Sequence, residues 1–218
     1  MTQELYVANA EGAVLVSDSL VVRELEDGRR EWHSMRKLFA LGRGAAIVSG
    51  GAAVGIQLSR ELAAATRSRA PQEIEALLDL APAFLNRRYQ EYLLPRREWF
   101  AAHPEAPQRL YFLIAGWSER RSAPLALLLG SERVGMALQP LPAGAVVAMP
   151  RRLMLEVQLA QLAGRSTLKE LADYCMAQLA RLAAREPENV GGPFDGVIIR
   201  AAGMRPIIAG LPGSALRR

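Results

Sequence analysis

The succession of apolar periodicities constrains this 218-residue chain more than any single motif. Residues 5–10 and 13–17 are compact apolar runs around Glu11-Gly12, which predicts a buried hairpin. Further strands are expected over 20–25, 31–40 and 45–49, with Asp27-Gly28 as a turn. The period then changes: Val54, Leu58, Leu62 and Ala65 predict a helix over 52–68. Pro71 opens a second helix, Pro82 is expected to interrupt it, and 83–94 forms a third helical piece ending before Pro95. Residues 96–108 read as a connection. Strands resume at 110–116, 125–129 and 135–138, with Pro140 and Pro142 in a loop. Two more helices follow, over 151–163 and from an N-cap at Ser166 to about Arg185, then strands at 194–200 and 206–209.

The order is strands, a helix pair, strands, a helix pair, strands. A doubly wound parallel sheet would alternate βαβα. This order instead suits an α+β domain of two antiparallel sheets stacked face to face, with helices on both outer faces. No composition break divides residues 1–218, so a single domain is expected. Half the residues are hydrophobic, which argues against disorder. No apolar run reaches the ~18–20 residues of a membrane span, so no membrane partner is expected. The N-terminus lacks the basic region of a signal peptide. Cys175, the one cysteine, fits a reducing cytoplasm and falls on an apolar helix face.

The net charge is +5, from 27 basic residues of which only Lys37 and Lys169 are lysines. The arginines are scattered and not interleaved with aromatics, so no nucleic-acid partner is expected. Where Arg is the default cation, a Lys needs its own reason. Lysine can lose its proton when desolvated and can sit as a compact charge beside a nucleophile; arginine cannot. Lys169 lies in a helix first turn with Asp173 at i+4 and reads as a solvated pair. Lys37 lies in the run 31–40, beside its apolar members Leu38 and Phe39.

His33 and His103 have no ligand-spaced companions, so no metal and no cofactor are expected. The glycine pairs lack the lysine and spacing of a phosphate loop. What remains is Thr2, Asp18 and Lys37. If Met1 is removed, Thr2 offers a hydroxyl nucleophile beside its own α-amine, which titrates near about pH 8 and can act as a base. A cation would lower the pKa of that hydroxyl, and a carboxylate would hold the cation.

These residues resemble the start of a mature proteasome β-subunit. Thr2, Gly12, Asp18 and Ser19 fit that family without a gap. Arg36-Lys37-Leu38 followed by 47–53, Ile-Val-Ser-Gly-Gly-Ala-Ala, is similar to its lysine strand and the approach to its first helix. Met35-Arg36-Lys37-Leu38-Phe39 looks closest to the bacterial ancestral β-subunit branch. Ile114-Ala115-Gly116-Trp117 resembles a later strand end of that family, and 190–195, Val-Gly-Gly-Pro-Phe-Asp, the entry to its last long strand. The resemblance spans nearly the whole chain. It implies a four-layer αββα fold of the N-terminal nucleophile hydrolases. It also implies threonine peptidase chemistry on polypeptide substrates inside a cytoplasmic, homo-oligomeric ring, with a separate ATP-dependent unfoldase as a possible partner. Carried over, Thr2 would be the nucleophile, Lys37 would tune it, Asp18 would orient Lys37, and Gly50 or Gly51 would serve as oxyanion donor, with Ser19 beside the substrate.

The chain also departs from the family. Ser118 replaces an Asp after Gly-Trp, and Gln3 replaces a second threonine. The segment that should hold a Gly-Ser-Gly reads Val147-Ala148-Met149-Pro150-Arg151-Arg152. Pro187 and Val190 stand where an Asp and a Ser belong, with Glu186 and Glu188 nearby. The alternative is therefore a catalytically inactive, ring-forming protein on the same fold.

Overall fold

The structure is a computed structural model that describes residues 2–25, 28–67, 73–103, 109–131 and 136–207. The described residues form a mixed α+β structure with two five-stranded antiparallel sheets and one two-stranded hairpin. The first sheet holds β1 (Glu4–Asn9), β2 (Gly12–Ser17), β10 (Val146–Met149), β11 (Asp195–Arg200) and β12 (Gly203–Pro206), in the order β10-β1-β2-β11-β12. The second holds β5 (Leu38–Leu41), β6 (Ala45–Gly51), β7 (Leu110–Ser118), β8 (Ala123–Ser131) and β9 (Gln139–Leu141), in sequence order. The hairpin pairs β3 (Leu20–Glu24) with β4 (Arg30–Ser34).

Alternation along β1 decides where the site lies, because successive side chains point to opposite faces. Leu5 and Val7 join Val14 and Val16 of β2 in a cluster with Leu155 and Leu159 of α4 (Leu153–Ala163) and Leu171, Cys175 and Leu179 of α5 (Leu168–Arg185). Tyr6 and Ala8 point the other way. With Leu15 and Val197 they meet Leu38, Val48, Leu113 and Leu128 of the second sheet. Ile47, Phe112 and Ile114 form a third cluster with α1 (Val54–Arg67) and α2 (Ile74–Leu93). Each fully buried aliphatic side chain in these clusters contributes about 1.5–3 kcal/mol relative to exposure.

Several expectations need correction. Pro82 does not interrupt a helix: α2 runs through it. Ile74, Leu77, Ala81, Leu85, Tyr89 and Leu93 are buried in one unbroken stripe. Packing of that stripe on both sides of the proline outweighs one lost hydrogen bond. Pro95 instead falls in a 3-10 turn, Leu94–Arg96. The expected connection contains α3 (Arg97–Ala102), and residues 104–108 lie outside the described ones. The run 31–40 is two strands with a gap at 35–37, and its strand β4 is exposed throughout, so Lys37 lies on no strand. The strand expected at 135–138 begins at Gln139 and contains Pro140. Proline is tolerated there because β9 is the edge of its sheet. β10 has no counterpart among the expected strands. The last strand, expected at 206–209, is Gly203–Pro206, and residues 208–209 lie outside the described ones. The cap of α5 is Thr167 rather than Ser166; its side chain accepts from the Glu170 amide in a capping box.

Candidate functional site

β1 and β2 bring Thr2 and Asp18 to the same end of the first sheet. Glu4 pairs with Ser17, so Thr2 precedes β1 where Asp18 follows β2. The backbone closes this end: the Asp18 amide donates to the Gln3 carbonyl at 3.2 Å. Lys37 enters from the segment before β5. Its side chain is 1% exposed and that of Asp18 is 0% exposed.

Lys37 Nζ donates to Thr2 Oγ1 at 2.9 Å, to Asp18 Oδ1 at 2.9 Å and to the Leu20 carbonyl at 2.6 Å. An ammonium has three N–H donors and no acceptor, so these three oxygens satisfy it. Burial pulls the Lys37 pKa below that of an ordinary lysine, while the Asp18 charge and hydrogen bond oppose the shift.

Asp18 has each of its oxygens doubly hydrogen-bonded. Oδ1 accepts from Lys37 and from the Gln3 amide at 3.0 Å. Oδ2 accepts from the Leu20 amide at 3.1 Å and the Gly191 amide at 3.3 Å. A buried carboxylate is tolerated when its lone pairs are filled and its charge paired. Asp18 therefore holds Lys37 in place with no freedom of its own.

The glycines of β6 complete the wall. A Cβ at Gly50 would lie 2.7 Å from Glu4 Oε1 and 3.6 Å from Thr2 Cβ. Gly50 therefore sits against Thr2, in a space only a glycine leaves open. Gly51 has φ 86°, and a Cβ there would lie 2.0 Å from the Arg109 carbonyl; its constraint comes from the far side of β6. Ser19 is buried but makes no hydrogen bond to Thr2. Its hydroxyl accepts from Ser34 at 2.9 Å, and its amide donates to the Gly191 carbonyl at 3.0 Å. The structure thus gathers Thr2, Asp18, Lys37 and Gly50, and leaves Gly51 and Ser19 one step away. Met1 lies outside the described residues.

Beside Thr2 is a cleft of about 160 Å³, lined among others by Gln3, Pro150, Arg152 and Glu186. Arg152 donates to Gln3 Oε1 at 2.6 Å and to Glu186 Oε2 at 2.7 Å. The Gln3 amide group donates to the Glu4 and Pro150 carbonyls at 3.3 and 3.4 Å. Sequence reasoning registered these residues only as departures from a pattern. The one signal was the clustering of Gln3, Arg152 and Glu186 at positions where polar residues were expected.

Sequence reasoning missed Glu4 altogether. It is fully buried, and both carboxyl oxygens lack a hydrogen-bond partner. Burial, the largest cause, pushes its pKa up to about 8, opposed by Lys37 and reinforced by Asp18. The available signal was its phase: Glu4 falls two residues before Tyr6, on the face that points between the sheets.

The other candidates take ordinary roles. Lys169 donates to Asp173 at 2.8 Å on the surface. Cys175 is buried, and burial pushes its thiol up to about 12. His33 pairs with Glu31 at the surface, and His103 bonds the Trp99 carbonyl. Among the described residues no cluster of His, Cys, Asp or Glu could hold a metal, and no helix is long and apolar enough to cross a membrane. No protein-family model matches the chain, and no curated protein matches its sequence.

Proposed function

We propose that this chain is a threonine-type N-terminal nucleophile hydrolase that cleaves peptide bonds, with Thr2 as the nucleophile once Met1 has been removed. The observation that carries the reading is the buried Lys37 ammonium, 2.9 Å from both Thr2 Oγ1 and Asp18 Oδ1. A surface threonine has no such partner. In this reading the two large sheets and their flanking helices form a four-layer αββα sandwich of the N-terminal nucleophile hydrolases.

The chemistry follows from the donor directions. Lys37 donates to Thr2 Oγ1, so the hydroxyl proton points elsewhere and is free to pass to the freed α-amine. Oγ1 then attacks the substrate carbonyl carbon. Lys37 stabilises negative charge on Oγ1 as that proton leaves, and Gly50 offers its N–H to the developing oxyanion. Collapse breaks the C–N bond, and the α-ammonium returns its proton to the leaving amine. Water then hydrolyses the Thr2 ester by the reverse sequence. The polar wall of Gln3, Arg152 and Glu186 orders the amine side of this cleft. Polypeptide substrates, assembly into a ring and supply of unfolded chains by a separate ATPase belong to the same proposal.

Intact-mass spectrometry of the purified protein tests it first. Loss of Met1 is expected, and its retention overturns the peptidase reading. A threonine-directed electrophile should then add once per chain, and fail to add in Thr2→Ala and Lys37→Ala. Sedimentation reads the ring separately; a ~24 kDa monomer at all concentrations counts against it.

A further inference from the structure

Two buried carboxyls act on the Lys37 charge, and they are built in opposite ways. Asp18 accepts four hydrogen bonds. Glu4 accepts none, although no part of it reaches solvent. It is the one carboxyl among the described residues with both oxygens buried and unpartnered. A buried carboxylate without donors would be expensive, whereas the protonated acid has only a polar group to bury. Glu4 therefore rests as a neutral acid against Gly50, in the wall that also touches Thr2.

We propose that Glu4 is a positioning residue that acts through Lys37: protonated, it leaves Asp18 the only anion on the ammonium; ionised, it adds a second anion that competes with Thr2 for the lysine's charge. The site would then be armed near neutrality and disarmed as Glu4 loses its proton. The charged groups that act on Glu4 are Lys37, from the segment before β5, and Asp18, at the end of β2. Its cross-strand neighbours, Ser17 on β2 and Met149 on β10, carry no charge, nor does Gly50 on β6. Tyr6, two residues along β1, is kept neutral by burial, which raises its phenol. The effect on Thr2 rests on the function proposed above; the coupling of Glu4 to Lys37 does not.

The chain's shortage of lysine supplies the test. With only Lys37 and Lys169 present, isotope-labelled lysine gives two side-chain NMR signals. The Lys37 signal of the wild type should show a step near about pH 8, the value to which burial pushes Glu4. Glu4→Gln should remove that step, Glu4→Asp should restore one, and the Lys169 signal should not change among them. Thr2 labelling should proceed equally in wild type and Glu4→Gln at about pH 6.5, and roughly fourfold faster in the variant at about pH 8.5, where most wild-type Glu4 has ionised. Glu4→Met repeats the measurement if the amide prevents folding. A wild-type Lys37 titration without the step, or one identical in Glu4→Gln, overturns the proposal. If the step is present but Thr2 is never labelled, the coupling stands and the peptidase reading fails.

Discussion

The molecule has two lysines, each paired with an aspartate at nearly the same distance. Lys37 meets Asp18 at 2.9 Å between the sheets, and Lys169 meets Asp173 at 2.8 Å on the first turn of α5. The surface pair stays in high dielectric, and exposed pairs of this kind contribute little. The buried pair has lost its water; each partner depends on the other, Asp18 also on backbone N–H donors and Lys37 on the Leu20 carbonyl. Surroundings, not separation, decide what an ion pair does. At the surface it is interchangeable with solvent. Between the sheets it fixes a charge beside a hydroxyl.

The largest effect is expected from removing one buried partner. Lys37→Ala leaves the Asp18 charge uncompensated and should lower unfolding stability by about 3–5 kcal/mol in urea melts, as well as abolish Thr2 labelling. Asp18→Asn should retain the fold better but slow labelling by more than tenfold, because Lys37 loses its anchor.

The next largest effect is expected at Glu4, and it has the opposite sign. Its folded pKa is raised from 4.5 to about 8. Between those values the native state binds the extra proton, so stability falls as pH rises. Glu4→Gln cannot ionise. It should therefore be more stable than wild type by on the order of 3 kcal/mol at about pH 8, with the difference vanishing near about pH 4. Lys37 works the other way at higher pH. Its folded pKa lies below 10.5, so in the window under that value the unfolded chain holds more protons and stability rises with pH. Chemical denaturation across the pH range separates the two slopes.

Smaller effects sharpen the surface side. Thr167→Ala removes the capping box of α5 and should cost about 1 kcal/mol. Lys169→Ala should leave the melting temperature unchanged within the reproducibility of a scan. A marked loss there would mean that the exposed pair is more than a solvated contact.

The site was partly legible because charge beside apolar residues is conspicuous. Asp18 closes a buried hairpin, and Lys37, beside Leu38 and Phe39, is one of two lysines in a chain that otherwise uses arginine. Their convergence follows from the β1–β2 register. Glu4 was hard to read because its phase puts it on the Tyr6 face of β1 without saying what that face meets. That is fixed by the second sheet, through Gly50. The helices show the same limit. The stripe from Ile74 to Leu93 is readable, but Pro82 suggests a break until packing on both sides is known. β9 begins late because pairing with Leu128–Gly130 of β8, not composition, starts it.

One hydrogen bond at the site comes from far along the chain. Asp18 Oδ2 takes its last donor from Gly191, 173 residues away, and β2 takes β11 as a neighbour. During synthesis Thr2, Asp18 and Lys37 leave the ribosome well before the segment that completes the carboxylate. A nascent chain stopped before Gly191 thus carries Thr2 without the finished anchor for Lys37. The distance along the chain works as a delay: the Thr2 hydroxyl meets its finished lysine anchor only after the chain through Gly191 has been made and folded around it.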